Sequence, residues 1–278
     1  MARFDRIPKR PVRQPAVGPW KHGRIPVFGL IGGIGAGKSL VASLLAERGA
    51  LVLDADAIGH ALLDQRPARD QVVARFGAGI LAPRSEGEEP PAIDRRALGA
   101  IVFADPAALR SLENILHPRM RRTFEKAIDR ALRRGKATAV VLDAAILLEK
   151  GWDTLCDRII YVDAPHEQRL ARLTAQRGWT AADLETRERA QWPAEAKRKR
   201  ATLTVENDAD LSELAGKVAR AWSELMASRP RSEPRRAPRS QASTDAAVSD
   251  EQSPAVPTGR ARRRPGPRRR PSREGFRP

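Results

Sequence analysis

The 278 residues, 41% of them hydrophobic, suffice for a packed core in one large domain or two ordinary ones, and they carry a formal net charge of +17. No apolar run reaches the roughly 18 residues that a membrane span needs, and the single cysteine, Cys156, excludes an internal disulfide and a multi-cysteine metal site. A reducing, cytoplasmic location without membrane contact is therefore expected.

The positive charge lies mainly at the two ends of the chain. Residues 1–24 carry seven basic side chains and one acidic one, and residues 229–278 carry 14 arginines, five acidic residues and nine prolines. Residues 25–228 are consequently almost neutral. Basic, proline-rich ends of this kind cannot bury enough apolar surface to fold, so both are predicted to be disordered extensions. The arginine-rich tail either contacts polyanions non-specifically or is a solvated segment without a role.

The first element of the folded body is an apolar strand over residues 26–31, followed by Gly32-x-x-x-x-Gly37-Lys38-Ser39 and a helix beginning at Lys38. This is the full spacing of a phosphate-binding P-loop in its proper strand-loop-helix context. Lys38 can reach the β and γ phosphates of ATP, and the Ser39 hydroxyl can ligate Mg²⁺. The nucleotide-binding residues are predicted to be Gly33, Ile34, Gly35, Ala36, Gly37, Lys38, Ser39 and Leu40.

The second strand, residues 50–53, leads into Asp54 and Asp56. Alternation along an extended strand would put both carboxylates on the same side, close to the opening of the P-loop. One of them can orient or deprotonate the hydroxyl of an acceptor substrate. Asp56 could also cap the helix that is expected to begin near Ala57.

Residues 60–135 contain no convincing strand and carry helical charge patterns, with helices predicted to begin near Pro106 and at Pro118. An insertion at this point would sit over the carboxyl ends of the strands, where open α/β sheets bind ligands. It is a candidate acceptor-binding region. Within it, residues 84–91 have the composition of a surface loop.

Three further strands are predicted over residues 138–143, 158–163 and 202–206, and helices at Pro165, near Ala181 and at Leu211. Short apolar runs alternating with helices predict an α/β fold with a parallel five-stranded sheet. Asp143 ends the third strand, where P-loop enzymes often place a carboxylate that binds Mg²⁺ directly or through water.

A family resemblance emerges from these motifs in combination. Residues 32–39, Asp54-Ala-Asp56, Leu116-His117-Pro118, and Leu142-Asp143 ahead of Leu147-Leu148-Glu149 closely resemble dephospho-coenzyme A kinase, over roughly residues 26–226. The resemblance implies a P-loop nucleoside-kinase-like core with a helical coenzyme-binding region and a helical lid over about residues 165–195. It also implies transfer of a phosphoryl group from ATP to the ribose 3′-hydroxyl of dephospho-coenzyme A, with Asp56 as the catalytic base.

The same resemblance suggests roles for residues near the lid. Arg172 fits the position of the family's lid arginine and joins Asp56 and Lys38 as a predicted catalytic residue, whereas Arg169 and Arg177 could equally be solvated. Asn207 matches an asparagine that could contact the donor adenine or fix a loop. His117 could pack, cap a helix or contact the coenzyme.

Other positions also allow comparison with the family. Gln191 and Lys197 resemble its segment before the last strand. Leu40 and Ala145 depart from its usual Thr and Pro.

Two other functions stay open at this stage. One is a P-loop kinase for a different nucleotide or small metabolite, because the acceptor pocket cannot be derived from the sequence. The other is a nucleic-acid-binding NTPase that uses its basic tails, which the nearly neutral body disfavours. The sequence leaves open whether the protein is a monomer or a small homo-oligomer.

Overall fold

The computed structural model describes residues 20–82 and 91–227. Most of the two predicted extensions lies outside the described residues, namely residues 1–19 and 229–278. Residues 84–90 of the predicted surface loop also lie outside them. The segment 20–24, however, is part of the folded body. Trp20 is buried and packs edge-on against Phe28 with 6.0 Å between ring centroids, so ordered structure includes residues ahead of the boundary predicted at residue 25.

The centre of the fold is a five-stranded parallel sheet, which confirms the predicted architecture. Its strands are β1 (Val27–Gly32), β2 (Ala50–Asp54), β3 (Ala139–Asp143), β4 (Arg158–Asp163) and β5 (Leu203–Glu206). They are arranged in the order β2-β3-β1-β4-β5. In this order β1 lies between β3 and β4, and β2 pairs with β3 so that Asp54 stands beside Asp143.

Side chains from the two faces of the sheet enter two separate hydrophobic clusters. In β1, Val27 and Ile31 belong to one cluster, while Phe28 and Leu30 belong to the other. All six residues of β1 are buried, as expected for a central parallel strand that is covered by helices on both sides.

Helices cover both faces of the sheet. They are α1 (Lys38–Ala46), α2 (Ala55–Leu63), α3 (Ala68–Phe76), α4 (Arg95–Ala104), α5 (Pro106–Arg134), α6 (His166–Arg177), α7 (Ala181–Glu188), α8 (Ala194–Arg200) and α9 (Leu211–Ala227). The structure adds α3, α4 and α8 to the predicted helices. No helix within residues 20–82 and 91–227 is long and apolar enough to cross a membrane.

The prediction of a helix start at Pro118 is wrong, because α5 continues through this proline. The helix is capped by Asp105, which accepts a hydrogen bond of 2.7 Å from the N–H of Ala107. Pro118 lies on the exposed side, as does Asn114, whose carbonyl would otherwise accept the missing N–H. Water can therefore satisfy that carbonyl, while the buried side of α5 packs continuously into the core.

Candidate active site

The P-loop joins β1 to α1 and takes a shape that requires glycine at Gly37. This residue has φ 86°, in the left-handed region, and a Cβ at this position would overlap the side-chain nitrogen of Asn207. Helix α1 begins at the next residue, Lys38. The loop thus presents backbone N–H groups and the amino end of a helix to an incoming phosphate.

A cavity of about 600 Å³ opens above the P-loop. It is lined by residues 32–40, Asp56, Ala145, Arg172, Leu173, Gln176, Arg177, Gln191, Asn207, Ala209, Leu211 and Leu214. The predicted nucleotide-binding residues, the predicted base and the predicted lid arginine therefore surround one space.

The two carboxylates after β2 have different environments. Asp54 caps α2 by accepting hydrogen bonds of 2.8 Å and 3.0 Å from the backbone N–H groups of Asp56 and Ala57. Asp56 is exposed and lines the cavity. The expected strand alternation does not apply, because the helix begins at Ala55 and Asp56 belongs to its first turn. The cap is Asp54 rather than Asp56.

Lys38, which lines the cavity, forms an ion pair with Asp143 at the end of β3. Asp143 is 6% exposed. Burial raises the pKa of its carboxyl above the ordinary value, the Lys38 ammonium opposes this rise, and the carboxylates of Asp54 and Asp56 add to it. A carboxylate and an ammonium are therefore held beside the loop in which phosphates would bind.

Arg172 of α6 projects toward the P-loop. Its Nη2 donates hydrogen bonds of 3.1 Å each to the side chain of Gln168 and to the carbonyl of Asn207. Its Nη1 is buried, and no hydrogen-bond partner for it is found in the described part of the chain. One arm of the guanidinium is thus fixed, and the other is a buried donor without a partner in the described residues, close to Gly37 of the P-loop.

The other two arginines of the predicted lid differ from each other. Arg169 is largely buried, donates a hydrogen bond of 3.2 Å to the carbonyl of Ile34 and pairs with Glu188, so it ties the P-loop to α7 instead of being solvated. Arg177 lines the cavity and lies over the ring of Trp179, 5.2 Å from its centroid.

Asn207 connects β5 to the P-loop. It is 4% exposed, and its side-chain amide donates a hydrogen bond of 2.8 Å to the carbonyl of Ala36. This contact supports the loop-fixing alternative for Asn207. Its position on the cavity wall leaves contact with a nucleotide open.

A model of the dephospho-CoA kinase family matches residues 26–213. The chain belongs to the dephospho-CoA kinase family. The chain is 40% identical to the dephospho-CoA kinase of Symbiobacterium thermophilum, in a match that covers 70% of this chain and 80% of that protein. It is 39% identical to the dephospho-CoA kinase of Anaeromyxobacter dehalogenans, covering 76% and 98% of the two chains.

Two solved structures have a similar fold. The crystal structure of TT1252 from Thermus thermophilus superposes with a TM-score of 0.59 at 34% identity, covering 73% of this chain and 97% of that one. The dephospho-CoA kinase from Campylobacter jejuni gives a TM-score of 0.55 at 23% identity, covering 72% and 97%, and shows the shared fold. The predicted family, fold and kinase class are confirmed.

A buried lysine beside the site was missed by the sequence patterns. Lys197 of α8 is 2% exposed, although it belongs to a run of four basic residues that gives no sign of burial. Its Nζ donates hydrogen bonds of 2.7 Å to Gln191 Oε1 and 3.2 Å to the carbonyl of Ala145, and it lies 3.3 Å from Glu149 Oε1. Burial lowers the pKa of Lys197, and the Glu149 carboxylate opposes this shift.

His117 lies within α5, so the capping alternative for this residue is excluded. Its ring packs edge-on against Trp152 with 5.4 Å between centroids. Burial lowers the pKa of this imidazole, the positive charge of Lys150 lowers it further and the carboxylate of Glu113 opposes the shift. These contacts support the packing alternative for His117.

Proposed function

We propose that this protein transfers the γ-phosphoryl group of ATP to the ribose 3′-hydroxyl of dephospho-coenzyme A, giving coenzyme A and ADP. The observation that carries this proposal is that the P-loop and Asp56 line one cavity. A group that can hold the donor phosphates and a carboxylate that can receive the acceptor's proton therefore face the same space.

The donor side of the site consists of the P-loop and the amino end of α1. Backbone N–H groups of residues 33–40 and the Lys38 ammonium are suited to the β and γ phosphates of ATP. Asn207 holds the loop in place through Ala36. Lys38 already forms an ion pair with Asp143. The Lys38 ammonium would therefore interact with both the Asp143 carboxylate and a bound phosphate.

The acceptor side is organised around Asp56, the proposed general base. The oxygen of the 3′-hydroxyl bonds to the γ phosphorus, the bond from that phosphorus to the β–γ bridging oxygen breaks, and the hydroxyl proton passes to Asp56. The Nη1 of Arg172, which has no partner among the described residues, would stabilise the charge that develops on the transferring phosphoryl oxygens.

Ser39 and Asp143 fit the requirements of Mg²⁺, because both offer the hard oxygen donors that this ion prefers and both lie at the phosphate-binding loop. In residues 20–82 and 91–227, no cluster of three His, Cys, Asp or Glu side chains is placed to hold a metal. Most remaining ligands would thus be phosphate oxygens and water, as is common for Mg²⁺. When bound, the ion would neutralise charge on the phosphates.

A cytoplasmic location is part of the proposal. It rests on the single cysteine, Cys156, which is buried in the core and has no second cysteine in the chain with which to form a disulfide.

The test is an ADP-release assay with ATP and Mg²⁺, with and without dephospho-coenzyme A, in which the product is followed by mass. Acceptor-dependent ADP formation with an equal amount of coenzyme A is expected. Nucleoside monophosphates should be poor acceptors. Turnover with a nucleoside monophosphate but not with dephospho-coenzyme A would overturn the proposal in favour of a different P-loop kinase.

A further inference from the structure

The segment that ends the predicted lid is connected to the loop after β3 through the buried ammonium of Lys197. We propose that Lys197 is a positioning residue that fixes the Gln191 side chain, so that the Gln191 amide donates a hydrogen bond to an oxygen of the acceptor substrate. This inference rests on the function proposed above and assigns a role to two residues that it does not use.

The chemistry of the contact determines the orientation of the Gln191 amide. Lys197 Nζ lies 2.7 Å from the Gln191 side chain, and an ammonium can only donate hydrogen bonds. The atom that faces Lys197 must therefore be the oxygen. Gln191 lines the cavity while Lys197 does not, so the part of the amide that remains for a ligand is the NH₂ donor.

The contact of Lys197 with the loop after β3 favours the acceptor side of the cavity for Gln191. Lys197 also binds the carbonyl of Ala145, two residues after Asp143 at the end of β3. Strand β3 lies between β2, which leads to Asp56, and β1, which leads to the P-loop. Asn207, by contrast, follows β5 at the opposite edge of the sheet. An NH₂ group held near Ala145 thus faces the cavity that Asp56 and the P-loop also line.

Glu149 completes the arrangement by fixing the backbone next to Gln191. Its Oε1 accepts a hydrogen bond of 2.8 Å from the N–H of Trp192 and lies 3.3 Å from Lys197 Nζ. The side chain of Gln191 and the peptide that follows it are therefore both held by groups outside the cavity. A freely rotating glutamine would lose more side-chain entropy on binding substrate than one already fixed.

The acceptor chemistry agrees with a donor at this position. The ribose and phosphate groups of dephospho-coenzyme A present oxygen atoms, and an amide N–H donates to such atoms with a net benefit that is largest when the oxygen is charged. A carboxylate at the same place would repel a phosphate. The amide is therefore the chemically matched side chain, and Gln191→Glu is the most discriminating substitution.

The experiment compares steady-state kinetics of the wild type with Gln191→Glu, Gln191→Met, Lys197→Met and the Gln191→Met/Lys197→Met double variant. Gln191→Glu keeps an oxygen for Lys197 but replaces the donor, so the KM for dephospho-coenzyme A should rise about tenfold or more, with the KM for ATP changed less than about twofold. Lys197→Met should cause the same acceptor-specific rise. The double variant should be no worse than Gln191→Met alone.

The control is Lys199→Met, on the same helix, because Lys199 is 67% exposed and pairs with Glu195 at the surface. Melting temperatures of all variants separate misfolding from a change in substrate binding. If Lys197→Met lowers the melting temperature without raising the KM for dephospho-coenzyme A, then Lys197 has a structural role only. Gln191→Glu leaves Lys197 in place, and an unchanged acceptor KM in this variant would overturn the inference even if Lys197→Met does not fold.

Failure of the proposed function is distinguishable in the same assay. Wild-type protein that does not phosphorylate dephospho-coenzyme A would overturn the proposed function and this inference with it. If the wild type is active and the Gln191 variants have an unchanged KM for dephospho-coenzyme A, only the role of Gln191 and Lys197 is overturned.

Discussion

The side-chain carboxylate of Asp54 accepts a hydrogen bond of 2.8 Å from the backbone N–H of Asp56. The first carboxylate of the Asp54-Ala-Asp56 sequence is thereby used to cap α2, and the second is left open to the cavity. Two acidic residues that are only two positions apart thus have separate tasks. Asp54 sets the start of the helix, and the helix start sets the direction of Asp56.

Asp56→Asn should lower kcat by about 10²- to 10⁴-fold, because an amide cannot accept the proton of the acceptor hydroxyl. Affinity for ATP, measured by calorimetry, should change little, since the role proposed for Asp56 is on the acceptor. The matched control is Asp54→Asn, because asparagine caps helices about as well as aspartate. Undiminished turnover in Asp56→Asn would remove Asp56 from the role of base.

The elements predicted correctly from sequence are those in which one short pattern decides the structure. The strand of residues 27–32 and the P-loop after it are contiguous, and their apolar run, glycines and Lys38 allow few alternatives. Likewise, the fold class followed from the alternation of strands and helices. The family motifs located Asp56 and Arg172, although their roles in catalysis stay predictions.

The features that were missed depend on contacts between distant residues. Proline is a local signal that favours a helix start at Pro118, but packing of Phe124 against Trp152 and the rest of the core holds α5 together through it. Lys197 could not be recognised as buried, because its partner Glu149 is 48 residues earlier in the chain. A single sequence gives no measure of such pairings.

Arg172→Ala should lower kcat by about 10²-fold or more while the KM for ATP changes much less. The reason is that its buried Nη1 lacks a partner in the described residues and lies near Gly37 of the P-loop, the proposed phosphate-binding loop. Arg172→Lys should recover only part of the activity, because an ammonium lacks the planar fork. Arg189→Ala is the control, since Arg189 is 70% exposed and pairs with Glu185. A change confined to the KM for ATP would count against the transition-state role.

Asn207→Asp should weaken ATP binding and destabilise the nucleotide-free protein by about 1–3 kcal/mol. The substitution keeps the side-chain shape but turns a carboxylate oxygen toward the carbonyl of Ala36, where the amide now donates. Asn207→Ala should also weaken ATP binding and lower stability, but by less, because alanine removes the hydrogen bond without adding a repulsive contact. Urea denaturation and calorimetric titration with ATP measure the two effects. Unchanged values in both variants would mean that the P-loop keeps its shape without this anchor.

Removal of residues 1–24 should destabilise the protein by about 3–5 kcal/mol, whereas removal of residues 1–19 should change its stability little. The longer truncation deletes the buried ring of Trp20 and the N–H of Lys21, which donates a hydrogen bond of 2.6 Å to Asp157. Urea denaturation of the two truncated proteins provides the comparison. Equal stability would show that the fold does not require residues 20–24.

Removal of residues 229–278 should leave kcat and both KM values within about twofold of the full chain, because the described lining of the cavity runs from Gly32 to Leu214, ahead of this segment. The same truncation deletes 14 arginines and five acidic residues, so any affinity for a polyanion such as heparin or DNA should fall and lose much of its salt dependence. Equal polyanion affinity of the full chain and the truncated protein would show that residues 229–278 do not bind polyanions. Loss of kinase activity on truncation would show that residues 229–278 contribute to the kinase reaction. ATP hydrolysis by the full chain that DNA stimulates would instead favour a nucleic-acid-dependent NTPase that uses its basic tail.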